Sequence, residues 1–149
     1  AILLWADSPW AGVGEHGFSK GMTDLAAAGV IHPSVGGFRH AHNDWLDMLA
    51  KHGPVGLLIL SILYVVPAIL FARSFYVSKA PEVIVASLAG LSLVANFLVF
   101  SMAHQALGSS IGIMTYAFWV PVLMGAVSFG LAAGSEAVGP RTELRGAGS

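Results

Sequence analysis

The sequence predicts an all-α, polytopic integral membrane protein with about three transmembrane helices, preceded by a loop that contains a short amphipathic helix. Two observations predict this fold class. Only 10% of the 149 residues are charged and 56% are hydrophobic, whereas a soluble domain typically carries about 25% charged residues. In addition, three uncharged segments are long enough to cross a hydrocarbon core of roughly 30 Å.

Residues 1–53 are expected to form a loop segment outside the membrane. Composition predicts a helix end at 1–5, turns at 7–17 and 32–37, and a short helix at 21–30. The last part of this segment has a clearer pattern, because the apolar residues Trp45, Leu46, Met48 and Leu49 recur at helical spacing.

A short amphipathic helix is therefore predicted at about 43–52, lying near the membrane surface. Asn43 and Asp44 fit its N-terminus, and Gly53 with Pro54 forms a stop signal.

The membrane unit is predicted over 54–133, with spans at 55–72, 83–103 and 111–133. Pro67 and Pro121 predict kinks, since neighbouring helices in lipid can satisfy the carbonyls that a proline leaves free. Residues 134–149 are rich in Gly and Ala and are predicted to form a disordered tail.

The distribution of Lys and Arg predicts the orientation. Arg73 and Lys79 lie between the first two spans, and Arg141 and Arg145 lie in the tail, whereas 104–110 has neither residue type. The positive-inside rule therefore places the 73–82 loop and the tail in the cytoplasm and the first 53 residues outside.

An outward leader before an odd number of spans, in a chain without an initiator Met, predicts a C-terminal piece of a longer membrane protein.

Composition also excludes some partners and sites. A net charge of −1 without a basic run argues against nucleic acid as a partner, because phosphate binding requires clustered Lys and Arg. The absence of Cys excludes disulfides and cysteine-ligated zinc.

The chemically informative segment is 36–56. His42 lies at or just before the N-terminus of the predicted amphipathic helix, where the positive dipole end disfavours imidazolium. We therefore expect His42 to be neutral, as a general base must be. Helix-end N–H groups attract phosphate, and Arg39 adds a guanidinium nearby. This combination predicts activation of a hydroxyl group toward a substrate with a phosphorylated leaving group.

Two motifs resemble the O-antigen ligase family. His42-Asn43, followed after nine residues by Gly53-Pro54-Val55-Gly56, is similar to that family's signature of His, a small polar residue and Gly-x-x-Gly. Upstream, residues 8–18 resemble the Pro-x-x-Gly-x-Gly...Phe segment that opens the large periplasmic loop of the superfamily. Residues 100–118, with His104, resemble its C-terminal spans, so the resemblance extends to about residue 133.

The resemblance implies a GT-C type glycosyltransferase of the bacterial inner membrane whose active site faces the periplasm. Such ligases transfer a polysaccharide from undecaprenyl diphosphate to a sugar hydroxyl of lipid A-core, without a metal or nucleotide cofactor. It also implies that His42 is the catalytic histidine, and we take Arg39, His40 and Asn43 as candidate substrate-binding residues. The family uses further arginines on earlier spans, so this piece alone is expected to be inactive.

Several alternatives stay open at this level. An O-antigen or exopolysaccharide polymerase or a protein O-oligosaccharyltransferase of the same superfamily would share the donor, and a membrane transport protein would need no catalysis. His40 and His42 with Asp44 and Asp47 permit a metal site, although no third histidine has local spacing. The two aspartates are expected on a solvated helix face rather than as a glycosidase pair. His104 is expected in a polar turn at the outer membrane edge, with a position lining the site as the alternative.

Overall fold

A computed structural model describes the backbone of residues 1–137 and the side chains of residues 1–133. No strand occurs within these residues, so the predicted all-α fold is confirmed. The structure has one 3₁₀ turn at Pro33–Val35 and the α-helices α1 (Ile2–Asp7), α2 (Gly14–Ala27), α3 (Asp44–Val77), α4 (Pro81–Ala103) and α5 (Ser110–Ala137). The predicted disordered tail lies outside the described residues from 138 onward, and the last helix continues four residues beyond the predicted boundary at 133.

Three of the helices have the length and composition of membrane spans. α3, α4 and α5 contain 34, 23 and 28 residues, and each includes a window apolar enough to cross a membrane. At most 22% of each window is buried within the chain, so most of the apolar surface is left for lipid or for other helices. The chain therefore has the helices of a multi-pass membrane protein, as predicted.

α3 combines two predicted elements. Gly53, inside this helix, has non-helical backbone angles of φ 62° and ψ −156°, so the helix consists of 44–52 and 54–77 joined at a kink. The predicted amphipathic helix and first span are thus both present and directly continuous. Pro54 begins the second part, where its missing N–H costs nothing because the first N–H groups of a helix have no intrahelical partner.

α2 differs from the prediction, which placed a short helix at 21–30. The helix begins seven residues earlier, at Gly14, and ends three earlier, at Ala27. Phe18 explains the early start, because it is completely buried in a small core with Leu4 and Ala50. Burial of this ring against α1 and α3 outweighs the turn-forming composition of the surrounding residues.

The three long helices pack with α4 between α3 and α5. Phe71 of α3 is completely buried, and a Cβ built on Gly90 of α4 would lie 2.5 Å from its ring. Close approach at a small residue is a common way for helices to pack in membranes. The hydroxyl of Tyr116 in α5 donates to the carbonyl of Leu63 in α3 at 2.7 Å, which connects the outer two helices.

The start of α3 and the α4–α5 loop lie at the same end of the bundle. The backbone N–H of Leu107 donates to the Asp44 carboxylate at 2.9 Å across this end. The α3–α4 turn, flanked by Arg73 and Lys79, lies at the opposite end. This arrangement has the relative topology that the sequence predicts, and the assignment of the two ends to periplasm and cytoplasm stays a prediction.

Candidate functional site

His42 occupies an unusual backbone conformation immediately before α3. Its φ of 52° makes it a non-glycine residue in the left-handed region, which side chains adopt only when the surrounding structure holds them there. The next residue, Asn43, caps the helix by accepting a hydrogen bond from the Leu46 N–H at 2.9 Å. The His42 imidazole is exposed and so is open to a ligand at the end of the bundle.

Three aromatic or imidazole rings surround His42. The His40 ring centroid lies 4.3 Å away and that of Phe38 lies 5.2 Å away, both edge to face. His104, from the end of α4, lies 6.3 Å away. The Nδ1 atom of His40 is buried and has no hydrogen-bond partner among the described residues, so its ring supports His42 while retaining an unused polar atom.

Asn43 is already fully engaged by the fold. Its side-chain carbonyl caps α3, and its Nδ2 donates to the Met102 carbonyl at 2.7 Å. Both halves of the amide therefore bind backbone groups. The structure gives this predicted substrate-binding residue a structural function, joining the start of α3 to the end of α4.

Arg39 and His40 border a polar cavity of about 240 Å³ at this end of the bundle. The Arg39 side chain is exposed and makes no hydrogen bond or ion pair within the described part of the chain, so its guanidinium is free to bind an anion. His42 lies beside His40 and outside the cavity wall. The cavity is lined by Glu15, Arg39, His40, Asp44, Asp47, Met48, Lys51, His52, Gln105 and Gly108.

The expectation of a solvated face for Asp44 and Asp47 is wrong. The two residues are only 3% and 8% exposed. Asp47 accepts hydrogen bonds from Lys51 at 2.8 Å, from the Ala41 N–H at 2.8 Å and from Gln105 at 3.1 Å. Packing of the leader and of the α4–α5 loop against the first part of α3 removes this face from solvent.

These aspartates also change the predicted anion site. Asp44 and Asp47 lie in the first turns of α3, where their negative charge offsets the positive end of the helix dipole. The Asn43 cap takes one of the free N–H groups. An anion at this end would therefore depend on Arg39 more than on the helix terminus.

Burial and hydrogen bonding set the charge of the two central groups. The second part of α3, 54–77, is about 36 Å long at helical rise and by itself exceeds the roughly 30 Å of a membrane core, so the first part, 44–52, lies outside the span. Burial raises the pKa of the Asp44 carboxyl, and backbone N–H groups of residues 106–108 partly offset the rise. Burial lowers the pKa of Lys51, but hydrogen bonds to Asp47 and Glu15 outweigh it and the net pKa is raised. Lys51 therefore stays charged and paired.

The two sequence motifs meet in space. A Cβ on Gly12 would clash with the backbone of Lys51 and His52, and a Cβ on Gly53 would clash with the carbonyl of Trp10. The Val13 N–H donates to the Ala50 carbonyl at 2.8 Å across the same contact. Both glycines have positive φ, 70° and 62°. Two segments about 40 residues apart thus require glycine because their backbones touch.

The possible metal ligands do not converge. Within the described residues, no three His, Asp or Glu side chains are arranged to hold a metal ion. Asp44 and Asp47 are instead committed to loop N–H groups, Gln105 and Lys51. The two histidines of the His-x-His pattern contact each other through their ring faces and edges.

Sequence reasoning missed much of the cavity wall. The i,i+4 spacing of Asp47 and Lys51 is a usable signal for an ion pair, but not for its burial, since the exposed pair of Lys20 and Asp24 has the same spacing. No local sequence pattern marks Gln105 and Gly108 as site residues, because they reach α3 only through the packing of the α4–α5 loop against it. His104 was identified as a turn residue, and the structure places it beside His42.

Comparison with models of known protein families and with curated proteins finds no match to this chain.

Proposed function

We propose that this chain is the C-terminal part of a membrane glycosyltransferase resembling O-antigen ligase. The protein transfers a polysaccharide from undecaprenyl diphosphate to a sugar hydroxyl of lipid A-core. It lies in the bacterial inner membrane, and the end of the bundle that carries His42 faces the periplasm. The positive charges of Arg73 and Lys79 at the opposite end support this orientation.

The observation that carries the proposal is the placement of His42. An exposed imidazole is held in a left-handed conformation beside the membrane end of α3, within ring contact of His40. A positive φ is uncommon outside glycine, and strained conformations of this kind cluster at active sites. The free Arg39 guanidinium three residues away supplies the positive charge that a diphosphate requires.

The contact between the two glycine motifs supports the family resemblance. The Gly12 turn and the Gly53 kink resemble separate parts of the family's pattern, and their backbones lie against each other. This contact fixes the direction in which 44–52 leaves the membrane helix, and so fixes the position of His42. A chance match of two short motifs carries no expectation that they should touch.

The proposed reaction is a single displacement at the anomeric carbon of the donor sugar. The acceptor hydroxyl oxygen forms a bond to that carbon as its proton passes to an imidazole nitrogen of His42. The bond between the anomeric carbon and the phosphate oxygen breaks, and undecaprenyl diphosphate leaves with the electron pair. Arg39 binds the diphosphate, whose negative charge grows as the bond breaks. A positioned general base typically contributes about 10²- to 10⁴-fold to such a step.

The same donor chemistry serves three acceptors. A polymerase would use a growing glycan and a protein O-oligosaccharyltransferase a Ser or Thr side chain. The test therefore includes all three acceptors. A transport protein would carry out no transfer to any of them.

The test replaces His42 in the full-length protein that carries this chain. His42→Ala should accumulate lipid-linked polymer and leave lipid A-core unmodified at unchanged expression, with transfer reduced by about 10²-fold or more. His40→Ala should be milder because this ring supports His42. His32→Ala is the matched control, since that exposed histidine lies outside the cavity wall and, among the described residues, hydrogen-bonds only with Ser34 at the start of the 3₁₀ turn. Near-normal transfer by His42→Ala would refute the proposal.

A further inference from the structure

His104 is the one further histidine in ring contact with the candidate base in the described part of the chain. It ends α4, is exposed, and lies with its ring centroid 6.3 Å from that of His42 at an interplanar angle of 65°. Its ring also stacks on Phe100 one turn earlier, at 5.2 Å and 30°. The side chain makes no hydrogen bond among the described residues, so its ring nitrogens are free.

Hydrogen bonds on both sides of His104 hold it at this distance. Before it, Met102 accepts from Asn43 at 2.7 Å, and Ser101 accepts from the Trp45 indole at 3.0 Å. After it, Gln105 donates to Asp47 at 3.1 Å and the N–H of Leu107 donates to Asp44 at 2.9 Å. All four contacts connect the His104 region to the first turns of α3, directly after His42. The fold therefore fixes the spacing of the two chain segments that carry these imidazoles.

The gap between the rings suits a ligand. The two imidazoles make no hydrogen bond to each other, so the ring nitrogens of both are open to hydrogen bonds with substrate atoms. The loop that follows His104 also reaches the polar cavity, because Gln105 and Gly108 line it together with Arg39. His104 itself lies outside the cavity wall and directly precedes Gln105, which is part of it.

Phe100 connects this position to the membrane. A mainly apolar groove of about 370 Å³ runs between α4 and α5, and Phe100 is part of its wall together with Leu93, Phe97 and Ile111. The groove lies along the membrane-facing helices, below the ring that stacks on His104. His104 is therefore connected to the apolar groove through its stacking contact with Phe100.

We infer that His104 is a second catalytic histidine, which donates a hydrogen bond from its imidazole N–H to a phosphate oxygen of the departing diphosphate. This inference rests on the proposed function and adds a residue to it. As the bond from the anomeric carbon to the phosphate oxygen breaks, the electron pair moves onto the diphosphate, and His104 stabilises that charge. His42 takes the acceptor proton, so the two imidazoles act on opposite sides of one displacement. Loss of one such donor costs about 10²-fold in rate.

The experiment measures binding and transfer separately in the full-length protein reconstituted in liposomes. The binding probe is undecaprenyl diphosphate, whose binding requires neither acceptor nor turnover. His104→Ala should weaken its binding by about tenfold and lower kcat by about 10²-fold, with the KM for the acceptor unchanged. His104→Gln retains an N–H donor and should restore much of both. His32→Ala is the matched histidine control and should change neither.

The readouts separate this inference from the proposed function. His42→Ala should lose transfer while binding undecaprenyl diphosphate normally, a pattern opposite to that of a donor-binding residue. If the wild type transfers to no acceptor but His104→Ala still weakens binding, the proposed function fails and the diphosphate contact stands. If the wild type binds no undecaprenyl diphosphate, both fail. Unchanged binding and transfer in His104→Ala, or no rescue by Gln, would overturn the inference alone.

Discussion

Gly12 and Gly53 lie backbone against backbone, so that a Cβ on Gly53 would be 3.2 Å from the Gly12 nitrogen. This contact joins the turn before α2 to the kink inside α3. Because 44–52 begins directly after His42 and ends at the kink, the glycine contact determines how the candidate base is presented at the membrane surface.

Gly53→Ala should destabilise the protein and lower transfer. An Ala side chain at φ 62° and ψ −156° costs about 1 to 3 kcal/mol in backbone strain, and its Cβ would also clash with Trp10. The free energy of unfolding should fall by about 2 kcal/mol or more, measured by denaturant titration in detergent micelles. Gly125→Ala is the matched control, because a Cβ there meets nothing within 4 Å. Equal stability of the two variants would contradict the prediction.

Lys51→Met should destabilise the protein because it breaks a buried ion pair. Lys51 is 4% exposed and pairs with Asp47 at 2.8 Å and Glu15 at 2.9 Å. Removing one partner leaves a buried carboxylate without its counter-charge, which costs about 3 to 5 kcal/mol. Lys20→Met removes an exposed pair with Asp24 of the same i,i+4 geometry and should have little effect. Thermal unfolding of both variants measures the difference, and a large loss in Lys20→Met would disprove the explanation by burial.

Arg39→Lys should weaken transfer while leaving membrane insertion intact. The substitution keeps the positive charge but removes the planar fork that binds a phosphate through two N–H groups. Because Arg39 has no partner in the described residues, its loss should not alter thermal stability. We expect Arg39→Ala to reduce transfer further than Arg39→Lys, assayed with lipid-linked donor. Full activity of Arg39→Ala would remove Arg39 from the site.

The topology can be tested with single cysteines, because the sequence contains none. Cysteines at Ser78, in the α3–α4 turn, and at Gly108, in the α4–α5 loop, lie at opposite ends of the bundle. A membrane-impermeant maleimide added from the periplasmic side should label Gly108→Cys and leave Ser78→Cys unlabelled until the membrane is opened. Labelling of both from one side would disprove the orientation.

The left-handed backbone of His42 should lower the stability of the folded protein while it orients the imidazole. If strain at this residue serves to aim the imidazole, His42→Gly should stabilise the protein slightly even as it removes the base, because glycine adopts positive φ without penalty. This is the behaviour expected of a residue kept for its chemistry.

Asn43, by contrast, should lower stability when replaced by Ala, since its amide caps α3 and binds Met102.

The sequence by itself determined the elements whose signals are local. Uncharged apolar runs predict membrane helices regardless of their neighbours, so α4 and α5 could be located closely. The break at Gly53 and Pro54 and the helix start at Asn43 also follow from local chemistry, and the structure confirms both. The start of α2 could not be located, because it depends on burial of Phe18 by distant helices.

Only the tertiary structure decided which of the site residues meet. Asp44 and Asp47 resemble solvated helix positions until the α4–α5 loop, about 60 residues later, covers them and supplies Leu107 and Gln105 as partners. The same packing of the α4–α5 loop against the start of α3 brings His104 next to His42. Hydrophobic periodicity specifies which face of a helix is apolar, but the approach of two chain segments is fixed by packing and hydrogen bonds between residues far apart in sequence. For this reason the sequence pointed to His42 and Arg39, and the structure was required to find the groups around them.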